Sequence, residues 1–193
     1  VLEMLNILEH FDLAAMGHNS VDYLRTVTEA MKRATSDKDL YVGDPEFVDV
    51  PLDRLISKEH ARSHSDEIRS GQRASVERMS YESKDTTHVC VVDKDGNSAS
   101  MTHSLGMPSG VITNGLGFMY NGCMAVFDPR PGNADSLAPG KSRFSSLCPT
   151  MAFEGDNLKY VVGAPGGTQI AMGVTQVLVN SIDFDMNMLE AVS

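Results

Sequence analysis

Several residue types and patterns are missing from this sequence of 193 residues, and each absence excludes a class of protein. No stretch approaches the roughly eighteen consecutive apolar residues of a membrane-spanning helix, so we expect no membrane partner. There is no run of basic residues and the formal net charge is −10, so nucleic acid is not an expected partner either. The cysteines, Cys90, Cys123 and Cys148, are odd in number and widely spaced, which favours buried small side chains over a disulfide framework.

The chain also lacks an initial methionine and has no signal-peptide pattern at Val1. We therefore expect a fragment or a processed piece, and the compartment stays undefined between cytoplasmic, periplasmic and secreted. The length is sufficient for one sizeable domain with its own core. The oligomeric state is also undefined, and a homo-oligomer is left open.

The first part of the chain has the pattern of helices. Apolar residues at helical spacing predict a helix within residues 1–16 that ends at Gly17. Ser20 is the expected cap of a second helix, which runs to about Ala34. A third, short helix is expected over Ser57–Ile68. The face of the second helix that we expect to be buried consists of Val21, Leu24, Val27 and Met31.

Beyond a polar segment at 69–85, which predicts an exposed linker, the pattern becomes that of strands. Two alternating segments, Thr87–Val92 and Ser98–Ser104, flank Asp95-Gly96, a strong hairpin signal. A two-residue loop would pair Thr86 with Leu105, diagonal to Ser104, and His88 with His103. Period-two alternation places Ser98, Ser100, Thr102 and Ser104 on one face and Ala99, Met101 and His103 on the other.

The last third of the chain combines a loop, a second hairpin and a helix. Residues 128–143 are rich in Pro and Gly and predict a loop long enough to cover a site. A hairpin is expected from Cys148–Phe153 and Leu158–Val162, followed by a helix over Gln169–Ser181. The order of helices, strands and a final helix predicts an α+β fold in layers rather than alternating βαβ units.

A possible nucleophile lies at the entrance to the first hairpin. If the Asp85–Thr86 bond were cut, Thr86 would gain an α-amine with a pKa of roughly 7.7–8, which is a usable base near neutral pH. A threonine paired with its own amine is a known activated nucleophile. The alternative is that Asp85-Thr86-Thr87-His88 is only a loop that enters a strand.

Two further segments have both a chemical and a purely structural interpretation. Gly166 and Gly167 precede a helix, where backbone N–H groups could form an oxyanion hole, although a tight turn needs the same glycines. Ser145 and Ser146 follow the cations Lys141 and Arg143 and could hold a carboxylate, although paired serines are common in loops.

His60 and His64 lie four residues apart on an expected helix, a spacing that can direct two imidazoles at one metal ion. No Glu or Cys nearby in the sequence completes that pattern, so a solvated helix face is the favoured interpretation. We therefore expect no metal ion and no cofactor.

Taken together, these segments resemble the γ-glutamyltransferase family of N-terminal-nucleophile hydrolases, in the family's order across nearly the whole chain. The matching stretches are Gly17-His18-Asn19-Ser20, Tyr41–Val48, Thr86-Thr87-His88 with Val91–Asn97, Phe144–Thr150, Gly163–Thr168 and Val179–Asp183.

This resemblance implies a four-layer αββα sandwich, made as a precursor that cuts itself at Asp85–Thr86. Residues 1–85 would be the end of the large subunit and residues 86–193 the first part of the small subunit, both within one domain. Thr86 would be the nucleophile and Ser104 its hydrogen-bond partner. The resemblance further implies a substrate carboxylate on Ser145 and Ser146 and an oxyanion on Gly166 and Gly167.

The sequence departs from the family pattern at three substrate-binding positions. Where the family's glutamyl enzymes carry an Asn, a Gln and an acidic residue, this chain has Gly106, Cys123 and Val126. Loss of an anionic partner weakens the binding of a substrate ammonium group. The resemblance is therefore to the cephalosporin-acylase branch, and implies a small-molecule amide substrate cleaved through an acyl-enzyme. The alternatives are a γ-glutamyl transferase or hydrolase acting on glutathione, and a non-catalytic relative with a binding role.

Overall fold

The computed structural model describes residues 1–76 and 86–193. The first range is helical, and the second contains hairpins followed by helices. The helices are α1 (Leu2–Leu8), α2 (Leu13–Met16), α3 (Val21–Tyr41), α4 (Leu52–Leu55), α5 (Lys58–Arg69), α6 (Ile170–Asp183) and α7 (Met188–Ala191). The strands are β1 (Thr86–Val92), β2 (Ser98–Ser104), β3 (Pro108–Ile112), β4 (Met119–Asn121), β5 (Thr150–Glu154) and β6 (Asn157–Val162).

Helix ends follow the capping residues in the sequence. The Ser20 side chain accepts a hydrogen bond from the Tyr23 N–H at the start of α3, and Ser57 accepts one from the His60 N–H at the start of α5. Gly17 ends α2 with a φ of 82°, a conformation that costs glycine little. The predicted cap at Ser20, the predicted helix start near Ser57 and the predicted end at Gly17 are confirmed, although residues 1–16 form two short helices rather than one.

Helix α3 is longer than predicted, and only part of its predicted face, Val27 and Met31, packs in the core. Val21 is 82% exposed and Leu24 is also exposed, so the predicted apolar face is wrong at these two positions. The buried face also includes Arg33 and Asp37, which a sequence pattern of apolar residues does not reveal. These charged residues are tolerated because Arg33 pairs with Glu29 and Asp37 lies against His60.

Two hydrophobic clusters hold the elements together. The first joins α1, α3 and α5 to α6, and its buried members are Ile7, Leu8, Leu13, Tyr23, Val27, Ala30, Ala61, Ile68 and Val179. The second joins β6 to α6 and has Val162, Ile170, Val174 and Leu178 as its buried members. Helix α6 belongs to both clusters, so its N-terminus has a fixed place relative to the hairpins.

The register of the first hairpin differs from the prediction by one residue. Its loop runs from Asp93 to Asn97, because the Asp93 carboxylate accepts hydrogen bonds from the N–H groups of Asp95 and Asn97. Thr86 therefore lies opposite Ser104 rather than Leu105.

His88 lies opposite Thr102 in this register, so the predicted pairing of His88 with His103 is also wrong. The predicted alternation is confirmed, since the four hydroxyl residues of β2 are partly buried and the three residues between them are exposed.

The described strands form three two-stranded antiparallel sheets, β1–β2, β3–β4 and β5–β6. The outward face of β1–β2 leaves apolar side chains such as Val91 and Met101 more than half exposed. Among the helices within residues 1–76 and 86–193, none combines the length and apolar composition needed to cross a bilayer.

Candidate active site

Thr86 and Ser104 form a contact at the open end of the β1–β2 hairpin. Their side-chain oxygens, Thr86 Oγ1 and Ser104 Oγ, lie 2.8 Å apart. The Gly106 N–H donates to the same Ser104 oxygen at 2.9 Å, which fixes the position of that hydroxyl. The hairpin register produces this contact, because residues directly opposite in a sheet bring their side chains together.

A pocket that is partly open to solvent lies beside this contact. Polar groups line it next to apolar ones, as in many sites for small molecules. Its lining residues are Thr86, Ser104, Gly106, Met107, Val126, Arg143, Phe144, Ser146, Leu147, Gly167, Thr168 and Ile170. Five of the residues singled out from the sequence besides Thr86 therefore share one cavity with it: Ser104, Gly106, Val126, Ser146 and Gly167.

The glycine-rich turn meets the pocket at the start of α6. Gly166 has a φ of 131° and Gly167 a φ of 58°, so both positions favour glycine. A 3₁₀ turn over Gly167–Gln169 leads into α6. N–H groups at such a helix start are poorly satisfied within the helix and attract negative charge. Gly167 lines the pocket and Gly166 does not, so the two glycines differ in their access to it.

The two serines of the predicted carboxylate site occupy different positions. Ser146 lines the pocket, whereas Ser145 is exposed and its hydroxyl accepts a hydrogen bond from the Leu147 N–H. Arg143, which the sequence offered only as a nearby cation, also lines the pocket. A guanidinium beside a hydroxyl can bind a carboxylate through two hydrogen bonds. Their roles stay predictions.

Gly106, which lines the pocket, is in close contact with Cys123, which does not. Gly106 has a φ of 69°, and a Cβ built on it would lie 2.6 Å from the Cys123 sulfur. The Cys123 thiol donates to the Leu105 carbonyl at 3.4 Å, which holds the sulfur in that place. A side chain at residue 106 is therefore incompatible with the present position of Cys123. Val126 presents an apolar surface to the same cavity.

Asp85, the residue before the expected scissile bond, is outside the described residues. His88 does not pair with His103, and its ring contacts Thr102 Oγ1 at 2.8 Å and the Cys90 sulfur at 3.0 Å. The ring also packs on the backbone of Gly163, where a Cβ would come within 2.1 Å of it. His88 therefore connects the first hairpin to the strand that leads into the glycine-rich turn.

His60 and His64 are not on a solvated face, so that interpretation is wrong. Their side chains are only 14% and 16% exposed, and they converge with two carboxylates, Glu3 and Asp37. The sequence did not reveal these partners because Glu3 lies on α1 and Asp37 on α3, far from α5 along the chain. Helix packing, rather than a local motif, assembles this cluster.

Comparison with known proteins gives consistent matches over the whole chain. The family model described as "Gamma-glutamyltranspeptidase" matches residues 1–193. The "Glutathione hydrolase proenzyme" of Escherichia coli K12 is 36% identical over 99% of this chain and 36% of its own length. The "Acylase ACY 1 proenzyme" of Pseudomonas sp. strain V22 is 41% identical over 100% of this chain and 35% of its own length.

A solved structure supports the same relationship. The crystal structure of cephalosporin acylase from Bacillus halodurans superposes with a TM-score of 0.82 at 28% sequence identity, covering 98% of this chain and 34% of that one. The mixed helix-and-sheet architecture is therefore that of known members of this group. The chain spans about a third of the length of the curated relatives it matches.

Proposed function

The chain belongs to the gamma-glutamyltranspeptidase family, and from this premise we propose that it is part of a self-processing amidohydrolase or acyltransferase with Thr86 as nucleophile. The observation that carries the proposal is the 2.8 Å contact between Thr86 Oγ1 and Ser104 Oγ at the edge of a pocket. Gly167 and Ser146 line the same pocket, which supports their proposed roles as oxyanion donor and carboxylate-binding hydroxyl.

Processing is the first step of the proposed function. Cleavage of the Asp85–Thr86 bond divides the chain into residues 1–85, the end of a large subunit, and residues 86–193, the start of a small one. The relatives named as proenzymes support this division. The two parts stay in one domain, and the remainder of the protein completes the four layers of the αββα sandwich.

The chemical step is acyl transfer through a covalent intermediate. The Thr86 amine accepts the hydroxyl proton as Oγ1 attacks the amide carbon of the substrate. Backbone N–H groups of the Gly166–Gly167 turn, of which Gly167 lines the pocket, stabilise the negative charge that forms on the carbonyl oxygen. The amine leaving group takes the proton when the C–N bond breaks, and water or an amine acceptor then releases the acyl group from Thr86.

The proposed substrate is an amide whose acyl group carries a carboxylate but no amine. Arg143 and Ser146 at the pocket suit a carboxylate, whereas the nearby Gly106 and Val126 offer no negative charge to an ammonium group. The similarity to the Pseudomonas acylase supports this substrate class. The similarity to the Escherichia coli glutathione hydrolase supports a second candidate, a γ-glutamyl hydrolase. A purely binding role does not require the Thr86–Ser104 contact.

Mass spectrometry of the full-length protein tests the processing step. Wild type should yield two pieces, the smaller beginning at Thr86, and Thr86→Ala should stay intact. Thr87→Ala is the matched control, because Thr87 is the next residue but its side chain is exposed on the other face of the strand. An intact wild type that is active, or normal cleavage of Thr86→Ala, would refute the proposal.

A pair of anilides tests the substrate class. Glutaryl and γ-glutamyl anilides differ only in the α-amino group, so the ratio of their kcat/KM values isolates its contribution. We expect the glutaryl compound to be the better substrate. A clear preference for the γ-glutamyl compound would establish the second candidate instead.

A further inference from the structure

Four side chains from three helices direct ligand-type atoms at one point. His60 and His64 lie on α5, Asp37 on α3 and Glu3 on α1. Their atoms Nε2, Nε2, Oδ2 and Oε1 all lie within 4.8 Å of one another. None of the four residues lines the pocket beside Thr86, so this cluster is separate from the proposed active site.

The spacing of these atoms is close to that of a tetrahedral metal site. Metal–ligand bonds of about 2.0–2.1 Å in a tetrahedron place the ligand atoms roughly 3.3 Å apart. The two Nε2 atoms are 3.2 Å apart, and His64 Nε2 lies 3.3 Å from Asp37 Oδ2. Glu3 Oε1 is 3.8 Å from His60 Nε2 and 4.0 Å from His64 Nε2. The short 2.5 Å contact between His60 Nε2 and Asp37 Oδ2 is the one that would have to lengthen.

Hydrogen bonding alone leaves this cluster poorly satisfied. Glu3 Oε1 is buried and accepts no hydrogen bond from the described residues. Both imidazole Nε2 atoms converge on the same Asp37 oxygen while facing each other. A buried oxygen without a hydrogen-bond partner is costly, so a cation bound at Glu3 Oε1 would stabilise the arrangement.

The surroundings of His64 also suit a metal ligand. Its second ring nitrogen, Nδ1, lies 3.4 Å from Glu67 Oε2, and Arg33 Nε binds the same Glu67 oxygen at 3.2 Å. A histidine that ligates through Nε2 keeps its proton on Nδ1 and donates it to a carboxylate, an arrangement typical of zinc sites. Without a metal, His64 needs protons on both nitrogens to satisfy both carboxylates.

We propose that Glu3, Asp37, His60 and His64 form a zinc-binding site that fastens α1 and α3 to α5. Two imidazoles and two carboxylates match the nitrogen and oxygen ligands of tetrahedral Zn²⁺. Four protein ligands close the coordination sphere, so the ion has a structural role rather than a catalytic one. The side chains are 11–16% exposed, which leaves the ion a short path from solvent.

Zinc binding to the full-length, tag-free protein tests this proposal directly. After dialysis against a chelator, isothermal titration and elemental analysis should give one Zn²⁺ per chain. His60→Gln and His64→Gln should each weaken binding more than about 100-fold, and Glu67→Gln, which keeps all four ligands, by about 10- to 100-fold. Co²⁺ in the same site should show the intense visible absorption of tetrahedral coordination, and both histidine variants should lose it.

His103→Gln is the matched control, because His103 is an exposed histidine on β2 and should leave zinc binding unchanged. Circular dichroism establishes which variants fold, and Glu67→Gln keeps the test decisive if a histidine variant does not. Substoichiometric zinc in the wild type, or equal zinc affinity in wild type and a folded His60→Gln, would overturn the proposal. In that case hydrogen bonds alone, without a metal ion, would hold the four side chains together.

Discussion

Thr86 and Ser104 lie directly opposite each other in the first hairpin, with their side-chain oxygens 2.8 Å apart. The five-residue loop from Asp93 to Asn97 sets this pairing. A two-residue loop would place Leu105 opposite Thr86, and Ser104 would face the other side of the sheet. The loop at the far end of the hairpin therefore determines which residue lies opposite Thr86.

The first prediction concerns Ser104→Ala, which should slow turnover without preventing folding. A hydrogen bond of this kind contributes about 1 kcal/mol, so we expect kcat to fall about fivefold. KM should change little, because the lost contact is to the nucleophile and not to the substrate. Steady-state kinetics on the processed enzyme measures both parameters.

Ser104→Thr should restore most of the activity, since it keeps the hydroxyl group. Ser98→Ala is the matched control: Ser98 shares the face of β2 with Ser104, but its hydroxyl donates only to the nearby Gly96 carbonyl. An equal loss of kcat in Ser98→Ala would assign the effect to the strand rather than to the contact with Thr86.

Much of the fold could be predicted from local signals in the sequence. Ser20, Ser57 and Gly17 act at helix ends as predicted, because a cap depends on residues within one turn. The two longer hairpins were found from their alternation and their turn glycines. The register of the first hairpin was not predicted correctly, because the Asp93 side chain enlarges the loop beyond the two residues that Asp95-Gly96 suggests.

In the candidate active site and in the cluster around His60 and His64, local sequence patterns likewise predicted some residues and missed others. Thr86, Ser146 and Gly167 were singled out because they belong to motifs, each a few residues long, and Ser104 because the resemblance implies it as the partner of Thr86. Glu3 and Asp37 were missed as partners of His60 and His64, because no local pattern relates residues on three separate helices. Charged residues on a buried helix face carry no periodic apolar signal, so only the packing reveals them.

The second prediction concerns Val126→Asp, which should shift substrate preference. Its carboxylate would enter the pocket and offer an anionic partner to a substrate ammonium group. We expect the ratio of kcat/KM for γ-glutamyl over glutaryl anilide to rise about tenfold, or about 1.4 kcal/mol. Asn is nearly the same size as Asp but carries no charge, so Val126→Asn should leave the ratio close to that of the wild type. A similar rise in both variants would exclude charge as the cause.

The third prediction concerns Gly106→Ala, which should destabilise the protein for two separable reasons. The positive φ of 69° strains any residue with a Cβ, and that Cβ would also meet the Cys123 sulfur at 2.6 Å. We expect a loss of about 2–3 kcal/mol in the free energy of unfolding, measured with denaturant. Gly117→Ala measures the strain alone, because Gly117 has a φ of 70° and nothing within 4 Å.

Cys123→Ala should relieve the steric part of that cost. Without the sulfur, the nearest Cys123 atoms to the new Cβ are Cα at 3.6 Å and Cβ at 3.7 Å, which are ordinary contacts. The double variant should therefore lose less stability than the sum of the two single variants, and a double-mutant cycle gives the coupling. Strict additivity would mean that residues 106 and 123 do not restrict each other.

The fourth prediction is that the metal-free protein loses stability as the pH rises from about 5 to about 8. Burial and the nearby Asp37 raise the pKa of Glu3 to about 8, and the hydrogen bond to Asp37 raises the pKa of His64. Both groups hold their protons in the folded state after the unfolded chain has released them. The free energy of unfolding therefore falls with pH, first through Glu3 and then, above the ordinary histidine pKa, through His64 as well.

Urea unfolding at several pH values measures this slope, and Glu3→Gln should flatten its lower part. The other ionisable groups that face Glu3 are Asp37 on α3, His60 and His64 on α5, and the Val1 amine. Saturating Zn²⁺ should reverse the sign of the slope, because a metal site binds only deprotonated ligands and so gains affinity as the pH rises. If saturating Zn²⁺ left the slope unchanged, zinc would not be binding to the groups that titrate, because a metal ion and protons compete for the same lone pairs.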